Sequence, residues 1–128
     1  MFDMEIIPIA AEECRFEIVS RSDSRIDIRV GPSHVLCFKN MPEDDDTIVF
    51  FENGWHSHGD ILGEMLGCEI EDVPEEILAA LRNGKAVLVR YSYADGRIEL
   101  ELEFTKWLSV DFIKELQEGE SVEYSRAV

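Results

Sequence analysis

The chain has 128 residues, and its 12 Lys and Arg against 28 Asp and Glu leave a formal net charge of −16. With 45% apolar residues it can bury a core as a single domain over residues 1–128, which argues against intrinsic disorder. No apolar run approaches the roughly 20 residues that cross a bilayer, and the acidity repels phosphates; the expectation is a cytoplasmic protein with no nucleic acid or membrane partner, drawn to basic ones.

Glu5–Ile9 reads as a short edge strand carrying Pro8. Arg15–Ser20 and Arg25–Val30 alternate apolar and polar residues around Ser22-Asp23-Ser24. Pairing Phe16 with Val30 and Ile18 with Ile28 puts the apolar side chains on one face and Glu17 opposite Arg29. After Gly31-Pro32, His34–Lys39 is a third strand, and Asn40–Asp46 is a connection too charged to bury. Thr47–Glu52 holds four consecutive apolar residues, which predicts a strand covered on both faces. Asn53-Gly54 is a hairpin signal that would turn Trp55–His58 back along that strand.

A short helix follows over Asp60–Gly67, with Asp60 as its cap and Gly67 as its stop. A second helix covers Val73–Asn83, with Asp72 and Glu75 at capping-box spacing, Ile77, Leu78 and Leu81 as its buried stripe, and Gly84 as its stop. Ala86–Tyr93 and Arg97–Phe104 form a hairpin about Asp95-Gly96, read as a type I′ turn. That turn pairs Tyr93 with Ile98, Tyr91 with Leu100, Val89 with Leu102 and Val87 with Phe104 on one face, and sets Arg90 against Glu101 on the other. A last helix is expected over Ser109–Glu118, with Leu108 and Ile113 at hydrophobic-staple spacing and Phe112, Ile113 and Leu116 inward, before a polar tail. The sum is an α+β fold: a mostly antiparallel sheet of about six strands built from hairpins, with two or three helices on one face.

Three cysteines, Cys14, Cys37 and Cys68, are odd in number and widely spaced, which suggests reduced thiols. No G-x-S-x-G elbow and no phosphate-binding glycine loop occur, so the reading is non-enzymatic, with no cofactor. His56-Ser-His58-Gly-Asp60 is the densest chemical cluster, an H-x-H-x-D spacing that places two imidazoles and a carboxylate on one side of an extended segment. It resembles the first part of the H-x-H-x-D-H motif of the metallo-β-lactamase fold, but Ile61 stands where that family has its next His. A metal-binding protein or metal-dependent hydrolase using His56, His58 and Asp60 is therefore the alternative. The leading expectation is a partner-binding surface built from Glu43, Asp44, Asp45, Asp46, Trp55, His56, His58 and Asp60, an acidic rim around an aromatic anchor.

A small, strongly acidic α+β chain with an apolar strand running through Thr47–Asp60 into Trp55-His-Ser-His58 resembles the immunity proteins of bacterial toxin–immunity systems, including polymorphic toxins and contact-dependent inhibition. The resemblance implies a protein that binds and neutralises a basic cognate toxin, often a nuclease, while leaving self-association open.

Overall fold

The computed structural model describes residues 1–107 and 116–127. Helix α1 (Ile6–Glu13) precedes strands β1 (Glu17–Arg21), β2 (Arg25–Gly31), β3 (His34–Met41), β4 (Asp46–Phe51) and β5 (His56–His58). Helices α2 (Gly59–Leu66) and α3 (Val73–Asn83) follow, then β6 (Ala86–Ser92), β7 (Ile98–Phe104) and β8 (Ser121–Ser125). The fold is α+β, as expected, but the strands make two antiparallel sheets rather than one. One sheet has the order β1-β2-β3-β4-β5, the other β7-β6-β8.

The first hairpin keeps its expected register at Glu17 opposite Arg29 and Ile18 opposite Ile28, then shifts by one residue at Val19, so that Ser20 faces Asp27. Its apolar side chains join a core that runs through both sheets and the three helices of the described residues, from Ile26, Ile28 and Phe38 to Leu78, Leu88 and Leu102. Burying side chains of this size drives the packing at about 1.5–3 kcal/mol each. Helix α3 has its expected limits, and Ile77, Leu78 and Leu81 are fully buried. Gly84 ends it in the left-handed conformation, although Asp72 makes no side-chain cap bond.

Four expectations are corrected. Glu5–Ile9 is not a strand: Ile7, Ala10 and Ala11 sit one helical turn apart and bury together, and Pro8 falls in the first turn, where its missing N–H costs nothing. Strand β4 is buried on one face only, through Thr47, Val49 and Phe51, while Ile48 and Phe50 stay half-exposed. The polar tail contains β8, which pairs with β6 along its whole length.

The hairpin of β6 and β7 is the fourth. Tyr93 bonds Arg97 across a three-residue loop closed by Gly96 at φ 90°, so Leu88 pairs with Leu102 and Arg90 with Leu100. The register is shifted by one residue, which moves Val87, Val89 and Tyr91 to the face carrying Glu99, Glu101 and Glu103. Most of the expected last helix, with Leu108, Ser109, Phe112 and Ile113, lies outside the described residues. Leu116 is exposed rather than packed inward.

Candidate functional site

Strand alternation divides the residues singled out above. Along β4 and β5 the antiparallel register sets Phe50 opposite His56 and Ile48 opposite His58. Side chains directly opposite share a face, so the histidines lie beside Phe50 and Ile48 on the outer surface of the five-stranded sheet. Their rings meet edge to face at 6.0 Å between centroids. Trp55, one residue earlier, points the other way. It packs against the core, with its ring 6.1 Å from Phe51. Trp55 therefore does not share a face with the histidines; Phe50 is the aromatic residue beside them.

The acidic run and the histidines do meet. Asp46 opens β4, and its Oδ2 lies 2.8 Å from His58 Nδ1. Among the described residues that nitrogen has no aligned hydrogen-bond partner, so its contact with Asp46 is a close electrostatic approach rather than a straight hydrogen bond. Both side chains are about one-third exposed, which keeps the interaction weak. Asp46 Oδ1 accepts the N–H of Thr47 at 2.8 Å. Glu43 and Asp44 sit in a single 3-10 turn, Pro42–Asp44, and Asp45 follows in the left-handed conformation at φ 48°, which aspartate tolerates. All three are exposed.

Asp60 departs from its expected role. His58 occupies the cap position of α2 with extended backbone, and Asp60 lies inside the first turn, accepting the N–H of Ile61 at 2.9 Å. There the negative charge suits the helix start. Among the described residues, no three His, Cys, Asp or Glu side chains converge in a way that could hold a metal ion.

The rest of the outer face follows from the β2-β3-β4 register, which aligns Asp27, Cys37 and Phe50 in one row and Arg25, Lys39 and Ile48 in the next. Sequence reasoning missed Arg25. Its guanidinium lies 5.1 Å from the Phe50 ring centroid, bonds Asp27 Oδ1 at 2.7 Å and Glu52 Oε1 at 2.7 Å, and approaches Cys37 Sγ at 3.4 Å. These carboxylates hold the guanidinium firmly protonated. Arg25 in turn helps hold Asp27 below its usual range, against the opposing effect of burial. Burial beneath this cluster pushes the Cys37 thiol up to about 12, so it offers no thiolate at neutral pH. Burial raises Cys14 and Cys68 as well.

The signal that would have found Phe50 is the period-two alternation of Thr47, Val49 and Phe51, hidden because the intervening residues are also apolar. No signal in the sequence marks Arg25, whose partners come from β2 itself and from the end of β4.

No protein-family model matches the chain, and comparison with curated proteins and with solved structures returns no match.

Proposed function

We propose that this protein is a non-enzymatic binding module that captures a basic protein through the outer face of its five-stranded sheet, in the manner of an immunity protein neutralising a toxin. The observation that carries the reading is the make-up of that face. Ile48 and Phe50 are half-buried on β4, with Arg25, Asp27, Lys39, Asp46 and Glu52 about them and the Glu17–Arg29 pair farther out on β1 and β2. A partly apolar centre inside a charged rim is how protein interfaces are built.

Arg25 demonstrates the chemistry within the chain itself, since a guanidinium seats on Phe50 between two carboxylates. The net charge of −16 would steer a basic partner to the surface before contact.

The test starts from the product of the adjoining reading frame, or a partner recovered from the native host, purified and measured for association at several salt concentrations. The on-rate should fall steeply as salt rises, and Phe50→Ala should raise the dissociation rate. An on-rate indifferent to salt would reject the reading.

A further inference from the structure

At the start of β4 the acidic run meets the first turn of α2 around a cavity of about 190 Å³. Met1, Asp45, Asp46, Thr47, Asp60 and Ile70 wall it. Strand and helix approach closely there because residue 59 is glycine. A Cβ at Gly59 would collide with the Thr47 hydroxyl and crowd Phe2 and Ile70. Asp60, the next residue, is thereby brought to the same cavity as Asp45 and Asp46.

The walls are uniform in character. No lysine or arginine lines the cavity, so its three carboxylates meet no cationic side chain in its walls. Among the described residues, Asp45 and Asp60 form no ion pair, with the Met1 amino group or any other cation, and Asp46 touches only His58. Asp46 Oδ1 accepts the N–H of Thr47, and Asp60 Oδ1 accepts that of Ile61. Asp60 Oδ2 and both Asp45 oxygens accept no hydrogen bond among the described residues.

Carboxylates at a surface are ordinarily just solvated, and the feature that marks this cavity is Thr47. The residue is only 4% exposed, yet its hydroxyl has no hydrogen-bond partner among the described residues. Polar groups on residues so deeply buried are ordinarily paired. The hydroxyl lies against Gly59 and near Ile70, which lines the same cavity, so it opens on that space.

We propose that this cavity takes the guanidinium of an arginine from a basic partner protein, bonded by Asp45, Asp60 and the Thr47 hydroxyl. The inference rests on the partner proposed above and adds the side chain it presents and the place where that side chain docks. The free carboxylate oxygens only accept and the hydroxyl can accept too, which selects a ligand that only donates. Arginine offers five N–H groups in one plane, enough to reach two carboxylates and a hydroxyl together; the lysine ammonium offers three. The side chains do not converge on a point as a metal ion requires. A helix start disfavours cations, and the charge of Asp60 offsets that effect. Asp46 joins the cavity to the outer face, since its other oxygen lies 2.8 Å from His58. One partner can therefore span both.

The experiment titrates the intact protein with Nα-acetyl-arginine methylamide, its lysine counterpart and its uncharged citrulline counterpart, followed by amide and carboxylate NMR. The expected result is a set of shifts concentrated at Asp45, Asp46, Thr47 and Asp60, strongest with the arginine probe and absent with citrulline. Thr47→Val keeps shape and charge and should weaken binding about fivefold. Glu64→Gln removes a charge from α2 away from the cavity and should change it less than about twofold. Equal shifts with citrulline, tighter binding of the lysine probe, shifts spread evenly over the acidic residues, or an unaffected Thr47→Val would each overturn the proposal. So would no binding at about 100 mM probe. Shifts centred on Phe50 and Glu52 would overturn the cavity and leave the outer-face reading standing, whereas a partner on-rate indifferent to salt would reject that reading alone.

Discussion

Gly54 pairs in parallel with Leu100, and through this pair the hairpin that closes the five-stranded sheet is bonded to the edge of the three-stranded one. The approach is as close as backbone allows. A Cβ at Gly54 would stand 2.8 Å from Leu100 O and 3.1 Å from Leu100 N. Gly54→Ala should therefore cost roughly 1–3 kcal/mol, because the atoms it meets are backbone and cannot rotate aside. Chemical denaturation measures this. Gly67→Ala is the comparison, since Gly67 ends α2 at φ 70° with nothing within 4 Å of a Cβ, and should cost only the conformational strain, about 1 kcal/mol.

Helix α1 ends on a residue poorly suited to its place. Arg15 stands at φ 61°, while Phe16 N–H reaches Ala11 O at 2.9 Å, the closing bond of a Schellman motif. Glycine is the usual residue there because it has no Cβ to strain. Arg15→Gly should raise stability by about 0.5–1 kcal/mol, the relief of strain exceeding the added freedom of the unfolded chain. A lower denaturation midpoint for the variant would contradict this.

His34 is buried against Phe51, with ring centroids 5.5 Å apart, and its Nε2 has no hydrogen-bond partner among the described residues. Burial pulls its pKa below the ordinary 6.5, opposed by the Val89 backbone; Arg90 on β6 lowers it further and Glu123 on β8 raises it. The unfolded chain thus takes up a proton at a higher pH than the folded one, and stability declines as pH falls below about 6.5. His34→Phe should keep the ring contact and flatten that decline in melting curves recorded between neutral and mildly acidic pH.

Trp55 and Phe50, only five residues apart, should behave differently when truncated. Trp55→Ala removes a ring packed on the core and should cost roughly 2–4 kcal/mol of stability. Phe50→Ala removes a half-exposed ring from the outer face and should cost less, while weakening binding of a basic partner. Equal thermal shifts for the two would mean that Phe50 belongs to the core.

Asp46 and His58 touch, but both are partly solvated. A double-mutant cycle of Asp46→Asn and His58→Gln should give a coupling below about 1 kcal/mol. A larger value would mark the pair as a rigid part of the surface.

Local patterns were legible wherever one face was polar. The first hairpin kept its register at Glu17–Arg29 and Ile18–Ile28, where charged and apolar residues alternate, and a shift at Val19 changes it by one residue towards the loop. Helix α3 kept its limits because a first-turn proline and a following glycine bracket a single apolar stripe. Where both faces are apolar the same reasoning had nothing to choose with. Strand β6 runs Ala86-Val-Leu-Val89, so Asp95-Gly96 was consistent with either of two loops. Packing of Ala86 and Leu88 into the common core selected the longer one.

The stretch that looked chemically richest shows the same division. Sequence by itself gave a strand over Thr47–Glu52, a turn signal at Asn53-Gly54, and a shared side for His56, His58 and Asp60 on condition that the segment is extended, because these follow from spacing and turn chemistry; the structure keeps the strand, the turn and the two histidines. The tertiary structure decided that Trp55 faces inward, that Phe50 takes its place beside the histidines, and that Asp46 reaches His58. Those outcomes depend on which face of a strand meets the core and which strands are neighbours, and neither is encoded in a local window of residues.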